Sequence, residues 1–420
     1  MRLLIVGAGA REHALAWKCR QSPLCGELLV APGNAGTAAL ARNIPVKPDD
    51  STALLELARA EKVDLAVLGP ESAVDAGVGD VLRAGGVPVF GPDRAAGRIE
   101  SSKAFAKELM LEAGIPTATH RAFSDAEPAR AFAAERGGQV AVKADGLALG
   151  KGVFVCGSIA ESDAAIEALL ERSALGAAGS TVVIEERLSG QELSVFGFSD
   201  GLRVLPLEPA RDYKRALAGD RGPNTGGMGA YSPPAGMGES LIQQVHKVVL
   251  QPAVDALRKR GSEYRGVLYA GLMLTSSGAQ VIEFNARFGD PEAQVLLPRL
   301  ESDLVEVMLA CARGDLSSAP ALRWSPDAAV GVVIASGGYP DSYLTGHVIS
   351  GLDELPGEVL VFHAGTKLAG QKLITAGGRV LTVVGRGRTV RDARERAGAA
   401  AARVRFQEAF YRHDIAAEAT

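Results

Sequence analysis

Glu283, Asn285 and Arg287 follow one another at intervals of two in Val281-Ile-Glu-Phe-Asn-Ala-Arg-Phe-Gly-Asp-Pro-Glu292. Read as a strand, the stretch puts Glu283 and Asn285 on one face, because strand side chains alternate. Arg287 joins them if the strand runs on, and Phe-Gly-Asp-Pro then turns the chain into a helix. Two oxygen ligands beside a guanidinium suit a hard cation that bridges phosphates, with the arginine countering the remaining charge. On their own, the same residues suit an amphipathic strand end with a solvated glutamate and a turn aspartate equally well.

An upstream segment tips the balance. Val140-Ala-Val-Lys143-Ala-Asp-Gly reads as a strand ending in a turn, and Leu147-Ala-Leu-Gly150-Lys151-Gly152-Val leads into a second strand. Such a hairpin can fold over a chain of phosphates: glycines let backbone N–H groups approach the oxygens, and Lys143 and Lys151 add point charges. It is not a GxxxxGK[ST] loop, and no helix follows it at once. An ordinary glycine-rich hairpin with surface lysines is the plainer alternative. Downstream, 181–188 runs from apolar residues into Glu185 and Glu186, and Gln191-Glu192 opens another strand. A strand end of this kind can pair an adenine edge through its backbone while an acidic side chain accepts from ribose hydroxyls; singly, such glutamates are more often solvated. Met273 is most simply a core residue, with the floor under a nucleotide base as the sharper reading. Gly222-Pro-Asn224-Thr225-Gly226-Gly227-Met-Gly-Ala-Tyr-Ser-Pro-Pro234 is expected to be a long irregular loop. Its Asn, Thr and backbone N–H donors suit a small carboxylate or phosphate.

These residues need a scaffold of alternating strands and helices. Residues 1 to about 95 carry strand candidates at 3–6, 28–31, 65–68 and 88–90 separated by helical stretches, the βαβ pattern of a parallel sheet. The first strand opens into Gly7-Ala-Gly9-Ala-Arg-Glu12, a glycine turn at a helix start where an anion can sit on free N–H groups. Glu12 stands where a dinucleotide fingerprint has its third glycine, and no ribose-binding acid follows at the usual spacing. A phosphate or small polar ligand therefore suits the turn better than NAD, with a plain tight turn as the alternative. Glu71, after a later strand of the same sheet, is a weaker candidate for the same crevice. Gly91-Pro-Asp breaks the pattern near a boundary at 95, and a helix is expected from 101 to 113, stopped by Gly114-Ile-Pro116. Further helices are expected at about 162–170 and 239–260, and a strand pair at 266–274 and 280–285. Past about 320, strands at 329–335, 359–362 and 379–385 and a helix at 390–404 read as a small α+β domain that closes the site.

Composition adds exclusions. At 420 residues the chain has ample length for two to four domains. A formal net charge of −4, with 22% charged residues in no basic block, leaves no footprint for nucleic acid. No apolar run approaches a membrane span, and the N-terminus runs directly into a strand rather than resembling a signal peptide. Cys19, Cys25, Cys156 and Cys311 form no CxxC pair and read as small apolar residues of a reduced, cytoplasmic chain.

With these parts in this order, the chain resembles the ATP-grasp superfamily and, within it, the glycinamide ribonucleotide synthetase family. The resemblance runs over essentially the whole chain through GAGAREHALAW, VAPGNAGT, GPE, SSKAF, VKADGLALGKGV, GPNTGGMGAYSP, YAGLM, IEFNARFGDPE, SGGYP, HAGTK and GGRVL. GPNTGGMGAYSP followed by EFNARFGDPE is the most specific part; many ATP-grasp enzymes share the lysine hairpin. The resemblance implies an α/β and α+β multidomain chain. Its parts would be an N-terminal Rossmann-like parallel sheet (1–95), an ATP-grasp core of two subdomains (96–320, with a mobile ATP-clamping part at about 115–188) and a small C-terminal α+β domain (321–420). It also implies ATP-dependent joining of glycine to 5-phosphoribosylamine through a glycyl phosphate, with Mg²⁺ or Mn²⁺, in a cytoplasmic protein more often monomeric than oligomeric.

Carried over, Lys103, Lys143, Gly150, Lys151 and Gly152 would meet the phosphates, and Glu185, Glu186, Leu188, Glu192 and Met273 the nucleoside. Glu283 and Asn285 would hold the metal, with Arg287, Asp290 and Lys214 at the reacting centre. Gly9, Glu12, Asp212, Asn224, Thr225, Gly226 and Gly227 would line the places for glycine and the amine. Three departures stand out. Ala10 replaces an expected glycine in the first turn. Tyr213 replaces an expected histidine, so no acid–base role is assigned there. The strand before the metal pair lacks the further glutamate that many ATP-grasp enzymes carry, which puts a second fully liganded metal in doubt. The rival readings are an ATP-grasp ligase or carboxylase for another acid, a dinucleotide-dependent oxidoreductase suggested only by Gly7-x-Gly9, and a non-catalytic nucleotide sensor.

Overall fold

A computed structural model describes residues 1–148 and 152–419. Gly150 and Lys151, expected at the tip of the phosphate hairpin, lie outside the described residues. The chain opens with a parallel sheet of β1 (Arg2–Gly7), β2 (Glu27–Pro32), β3 (Arg42–Asn43), β4 (Leu65–Leu68) and β5 (Val89–Phe90) in the order β3-β2-β1-β4-β5. Its central strands are apolar on both faces because helices cover both, and Leu3, Leu4, Ile5, Val6 and Leu29 are fully buried. The order reverses beside β1, so the loops after β1 and β4 open a crevice at their carboxyl ends.

Asp93 caps a helix, Arg94–Ser101, by accepting from the Ala96 N–H, and Ser102 caps the next, Lys103–Glu112. The helix expected from 101 to 113 is thus the second of a pair; the first was hidden by Gly91-Pro-Asp, which marks its start rather than a loop. A four-stranded sheet follows from β6 (His120–Phe123), β7 (Val140–Ala144), β8 (Val153–Val155) and β9 (Val182–Glu186), ordered β6-β9-β7-β8. It has its own small core around Val142, Ile166 and Ile184.

The long β10 (Gln191–Asp200) pairs β11 (Val204–Pro206) on one side. Next come β12 (Arg211–Asp212), β13 (Arg215–Leu217), β14 (Arg221–Asn224) and β15 (Gly229–Ser232), and then β16 (Arg265–Thr275) and β17 (Gly278–Asn285) complete the sheet β11-β10-β16-β17. The remaining strands are β18 (Ala328–Ala335), β19 (Leu360–His363), β20 (Thr366–Ala369), β21 (Lys372–Thr375) and β22 (Arg379–Gly387), closed by the helix Val390–Ala401.

One expectation is corrected here. Residues 222–234 are not an irregular loop: β14 pairs β13, and β15 pairs both β12 and β18. The last sheet, β12-β15-β18-β22-β19, sets two strands from 211–232 beside three from the end of the chain. The partner that makes Gly229–Ser232 a strand lies about a hundred residues further on, and glycine- and proline-rich sequence carries no local sign of it. No helix among the described residues is long and apolar enough to cross a membrane.

Candidate functional site

The three sheets and the crevice after β1 and β4 meet around one cavity of about 600 Å³. At one end β17 delivers Glu283 and Asn285 from the same face, both lining the cavity. Strand geometry ends at Asn285, so Arg287 does not reach this face by alternation. It arrives through the turn, and its guanidinium donates to Asn285 Oδ1 (3.3 Å) and the Phe288 carbonyl (3.2 Å). Glu71 (3.1 Å) and Glu100 (2.8 Å) clasp it from the first sheet's crevice and from the helix Arg94–Ser101. Burial works against the Glu71 charge, but Arg287 and Arg11 outweigh it and hold its carboxyl at about 2. Burial leaves Glu100 above the usual carboxylate range despite Arg287. Arg287 is therefore largely neutralised by the protein itself, and Glu100 is a partner that sequence reasoning missed. A lone glutamate ending a helix looks like any solvated one.

Glu283 has no hydrogen bond or ion pair among the described residues, although its carboxylate faces the cavity. No group of three or more His, Cys, Asp or Glu side chains able to hold a metal occurs among them. A free carboxylate and one amide oxygen still fit a magnesium-type ion, which keeps waters and takes its remaining oxygens from phosphates.

Beside this pair stands a cluster of lysines. Lys103 and Lys107 share a helix face four residues apart, and the Lys107 ammonium donates to Thr117 Oγ1 (2.7 Å) and meets Glu185 (3.0 Å). Lys143, at the end of β7, meets the same carboxylate (2.9 Å) and the Ile282 carbonyl (3.1 Å). All three partners of this Lys-Glu-Lys group are buried. Burial lowers the pKa of Lys107 to about 8, with Glu185 opposing and Lys143 adding to the drop, and it lowers Lys103 as well. Burial opposes the Glu185 charge too, but the two lysines hold its pKa below the ordinary value. The second oxygen of Glu185, Oε1, is buried at the cavity wall and has no hydrogen-bond partner among the described residues. Lys107 is a further residue missed at first, although its spacing from Lys103 was the available signal. Gly152 lines the cavity opposite; Glu186 is exposed, and Leu188 and Met273 are half-buried beyond its lining.

The other end is acidic and polar. Alternation across Arg211-Asp-Tyr-Lys turns Asp212 and Lys214 into the cavity and Tyr213 away, into the core of the last sheet. The Lys214 ammonium meets Glu192 (2.6 Å) and Asp212 (3.3 Å). Burial works against that ammonium, but the two carboxylates outweigh it and its pKa stands well above the usual lysine value. Burial pushes the Asp212 carboxyl up to about 7 against the pull of Lys214, with Glu292 and Glu192 pushing the same way. Lys214 in turn lowers Glu192. Thr225 and Gly226 line the cavity beside them, while Asn224 and Gly227 stand behind; the Thr225 N–H and hydroxyl both donate to the Lys214 carbonyl (2.7 and 2.8 Å). Asp290 lines the same end.

The first glycine turn differs from expectation. The Gly9 N–H is not free: it donates to Glu12 Oε2 (2.6 Å), and Arg11 pairs the other oxygen (2.6 Å). The anion at this helix start is the chain's own buried carboxylate, packed so tightly that a Cβ on Gly7 or Gly69 would strike it. A phosphate on the Gly9 N–H would have to displace it.

Against this geometry, family models for the phosphoribosylglycinamide synthetase N domain, ATP-grasp (A) domain and C domain match residues 1–100, 101–293 and 329–418. The chain belongs to this family. It is 47% identical over 419 residues to the phosphoribosylamine–glycine ligase of Allochromatium vinosum, covering 99% of this chain and 98% of that one. It is 46% identical to the ligase of the same name from Rhizobium meliloti, with the same coverage. The crystal structure of phosphoribosylamine–glycine ligase from Thermotoga maritima superposes with a TM-score of 0.87 at 35% identity, covering 99% of this chain and 100% of that one. A biotin carboxylase domain from Hydrogenobacter thermophilus, crystallised with MgADP, shares the fold at a TM-score of 0.75 but only 18% identity, over 98% of this chain and 91% of its own. The family and the multidomain ATP-grasp architecture expected from the motifs are thus both met.

Proposed function

We propose that this chain joins glycine to the amine of 5-phosphoribosylamine, the two substrates in the names of its relatives, at the expense of ATP, for which its matched ATP-grasp domain is described. The observation that carries the reading is a single cavity. It holds a lysine cluster and the Glu283–Asn285 pair at one end and a separate polar set around Asp212, Lys214, Thr225 and Asp290 at the other.

A carboxylate cannot be attacked by an amine directly, because oxide is a prohibitive leaving group. A glycine oxygen therefore attacks the terminal phosphorus of ATP, the bond to ADP breaks, and glycyl phosphate forms. The amine then adds to its carbonyl carbon, the C–O bond to phosphate breaks, and a proton leaves the nitrogen. The protein's task is positioning and charge neutralisation rather than covalent catalysis.

Lys103, Lys143 and the 147–153 segment (Gly150, Lys151 and Gly152 with it) are assigned to the phosphates. Glu185, Glu186, Leu188, Glu192 and Met273 are assigned to the nucleoside; the unpartnered Glu185 oxygen suits a ligand N–H donor. Glu283 and Asn285 would hold Mg²⁺ or Mn²⁺, which when bound draws charge off the phosphate oxygens. Arg287 sits beside that pair, and Lys214 and Asp290 beside the reacting groups. Gly9, Glu12, Asp212, Asn224, Thr225, Gly226 and Gly227 frame glycine and the amine. Because the Gly9 N–H is taken, Glu12 itself is assigned as an acceptor for ligand N–H or O–H groups rather than as a phosphate seat. The 120–186 sheet is assigned as the clamp that closes over the nucleotide and keeps water from the acyl phosphate. A cytoplasmic, monomeric enzyme completes the reading.

Glycine labelled with ¹⁸O in its carboxylate provides the test. One labelled oxygen should appear in each phosphate released; phosphate free of label would overturn the acyl-phosphate route.

A further inference from the structure

Arg379 begins β22 in the last sheet, yet its side chain reaches across to two segments distant in the chain. One amino group donates to the Gly226 carbonyl (2.6 Å), the Gly227 carbonyl (3.4 Å) and the Asp290 carbonyl (2.7 Å). The other pairs with the Asp290 carboxylate (3.1 Å), whose second oxygen accepts from Gln294 (2.7 Å). The same turn is held again by the last sheet's neighbouring loop, where Tyr339 Oη accepts from the Gly226 N–H (3.0 Å).

The packing leaves this turn little freedom. A Cβ on Gly226 would lie 3.1 Å from the Arg379 guanidinium carbon and 3.3 Å from the Tyr339 hydroxyl. Gly227 has φ +110, a conformation suited to glycine, and a Cβ there would strike Pro291. From the opposite side the Lys214 carbonyl takes both donors of Thr225. The turn is gripped between the 212–214 segment and a guanidinium from the last sheet.

We propose that Arg379 is a positioning residue for the ligation, setting the 225–227 turn and the Asp290 carboxylate from the side opposite Lys214. A planar fork of donors holds carbonyls and a carboxylate at fixed angles, which a lysine cannot reproduce. The inference rests on the assignment of this cavity end to glycine and the amine. Among the described residues, none of the groups assigned to the nucleotide is bonded to Arg379 or to the 225–227 turn.

The experiment compares wild type, Arg379→Met, Arg379→Lys and Asp290→Asn, alone and with Arg379→Met, under saturating Mg·ATP with glycine and phosphoribosylamine varied. Arg379→Met should lower kcat/KM for those two substrates roughly 10- to 100-fold while leaving the KM for ATP unchanged, and Arg379→Lys should recover little. The losses of Arg379→Met and Asp290→Asn should be less than additive in the double variant, since part of the arginine's effect runs through that carboxylate. Added guanidinium ion should partly restore Arg379→Met. An Arg379→Met enzyme with unchanged kcat/KM, or a loss confined to the KM for ATP, overturns the inference alone. Wild type that forms no product from these substrates overturns it together with the functional reading. If Arg379→Met does not fold, Tyr339→Phe, which removes only the Gly226 acceptor, decides: the same selective loss on a smaller scale supports the inference, and none overturns it.

Discussion

At the residue scale the account turns on how burial and charge share one cavity. Glu283 and Asn285 were legible before any coordinates, because strand alternation alone fixes which residues share a face. Their surroundings were legible only in part: the strand end before Glu71 pointed to the crevice, whereas Glu100 and Lys107 come from helices far away in sequence, and each looks like a solvated side chain in its own stretch. With a free carboxylate at the phosphate end, Glu283→Gln should cut turnover roughly 100-fold at saturating nucleotide and weaken Mn²⁺ binding in a calorimetric titration with ATP analogue. Unchanged Mn²⁺ binding would remove Glu283 from the metal site.

Asp212 supplies a pH test. Its folded-state value of about 7 lies above the unfolded 3.8, so between those limits the folded protein holds a proton that the unfolded chain has lost. This group's contribution to stability therefore falls as pH rises through that window. Asp212→Asn abolishes the titration, so the melting temperature of the variant relative to wild type should rise from pH 5 to pH 8. A difference that stays flat would mean that Asp212 is ionised throughout.

At the element scale, the short run Arg211-Asp-Tyr-Lys explains a departure from the family pattern. Asp212 and Lys214 face the cavity; Tyr213 faces the core and is 5% exposed. Its hydroxyl donates to Glu418 and accepts from the Ala416 N–H (2.9 Å), and Arg211 pairs with Glu418 (2.9 Å). A tyrosine where histidine was expected is thus a fastener between this strand and the last helical turn. Tyr213→Phe should leave the buried Ala416 N–H without its partner and cost about 1–3 kcal/mol in urea unfolding. Turnover should stay within about twofold, because no cavity contact is lost. A large loss of turnover with unchanged stability would place Tyr213 in the chemistry. Elements of this sort mark the edge of what local sequence can convey: residues 222–234 carry the glycines and prolines of a loop, yet Gly229–Ser232 is buried as a strand because β18 supplies its ladder.

At the scale of the whole molecule, the parallel N-terminal sheet was readable from its alternation of apolar runs and helices, and the ATP-grasp core from its motifs. What sequence order concealed is the sharing of parts. The last sheet takes two strands from 211–232 and returns Arg379 and Tyr339 to the cavity, so the end of the chain helps to build the middle. His13 of the first helix likewise accepts from the His363 N–H (2.8 Å), tying the first and last sheets around the same crevice. Segments distant in the chain thus brace one another around the cavity, as expected of a site that must hold three ligands at once.

The most direct test of that claim is ADP release by the purified protein with Mg·ATP, measured with glycine and with phosphoribosylamine generated in place, singly and together. ADP should form in a one-to-one ratio with glycinamide ribonucleotide, and at an appreciable rate only when all three substrates are present. ADP release that ignores glycine, or that responds to a different carboxylate, would contradict the account.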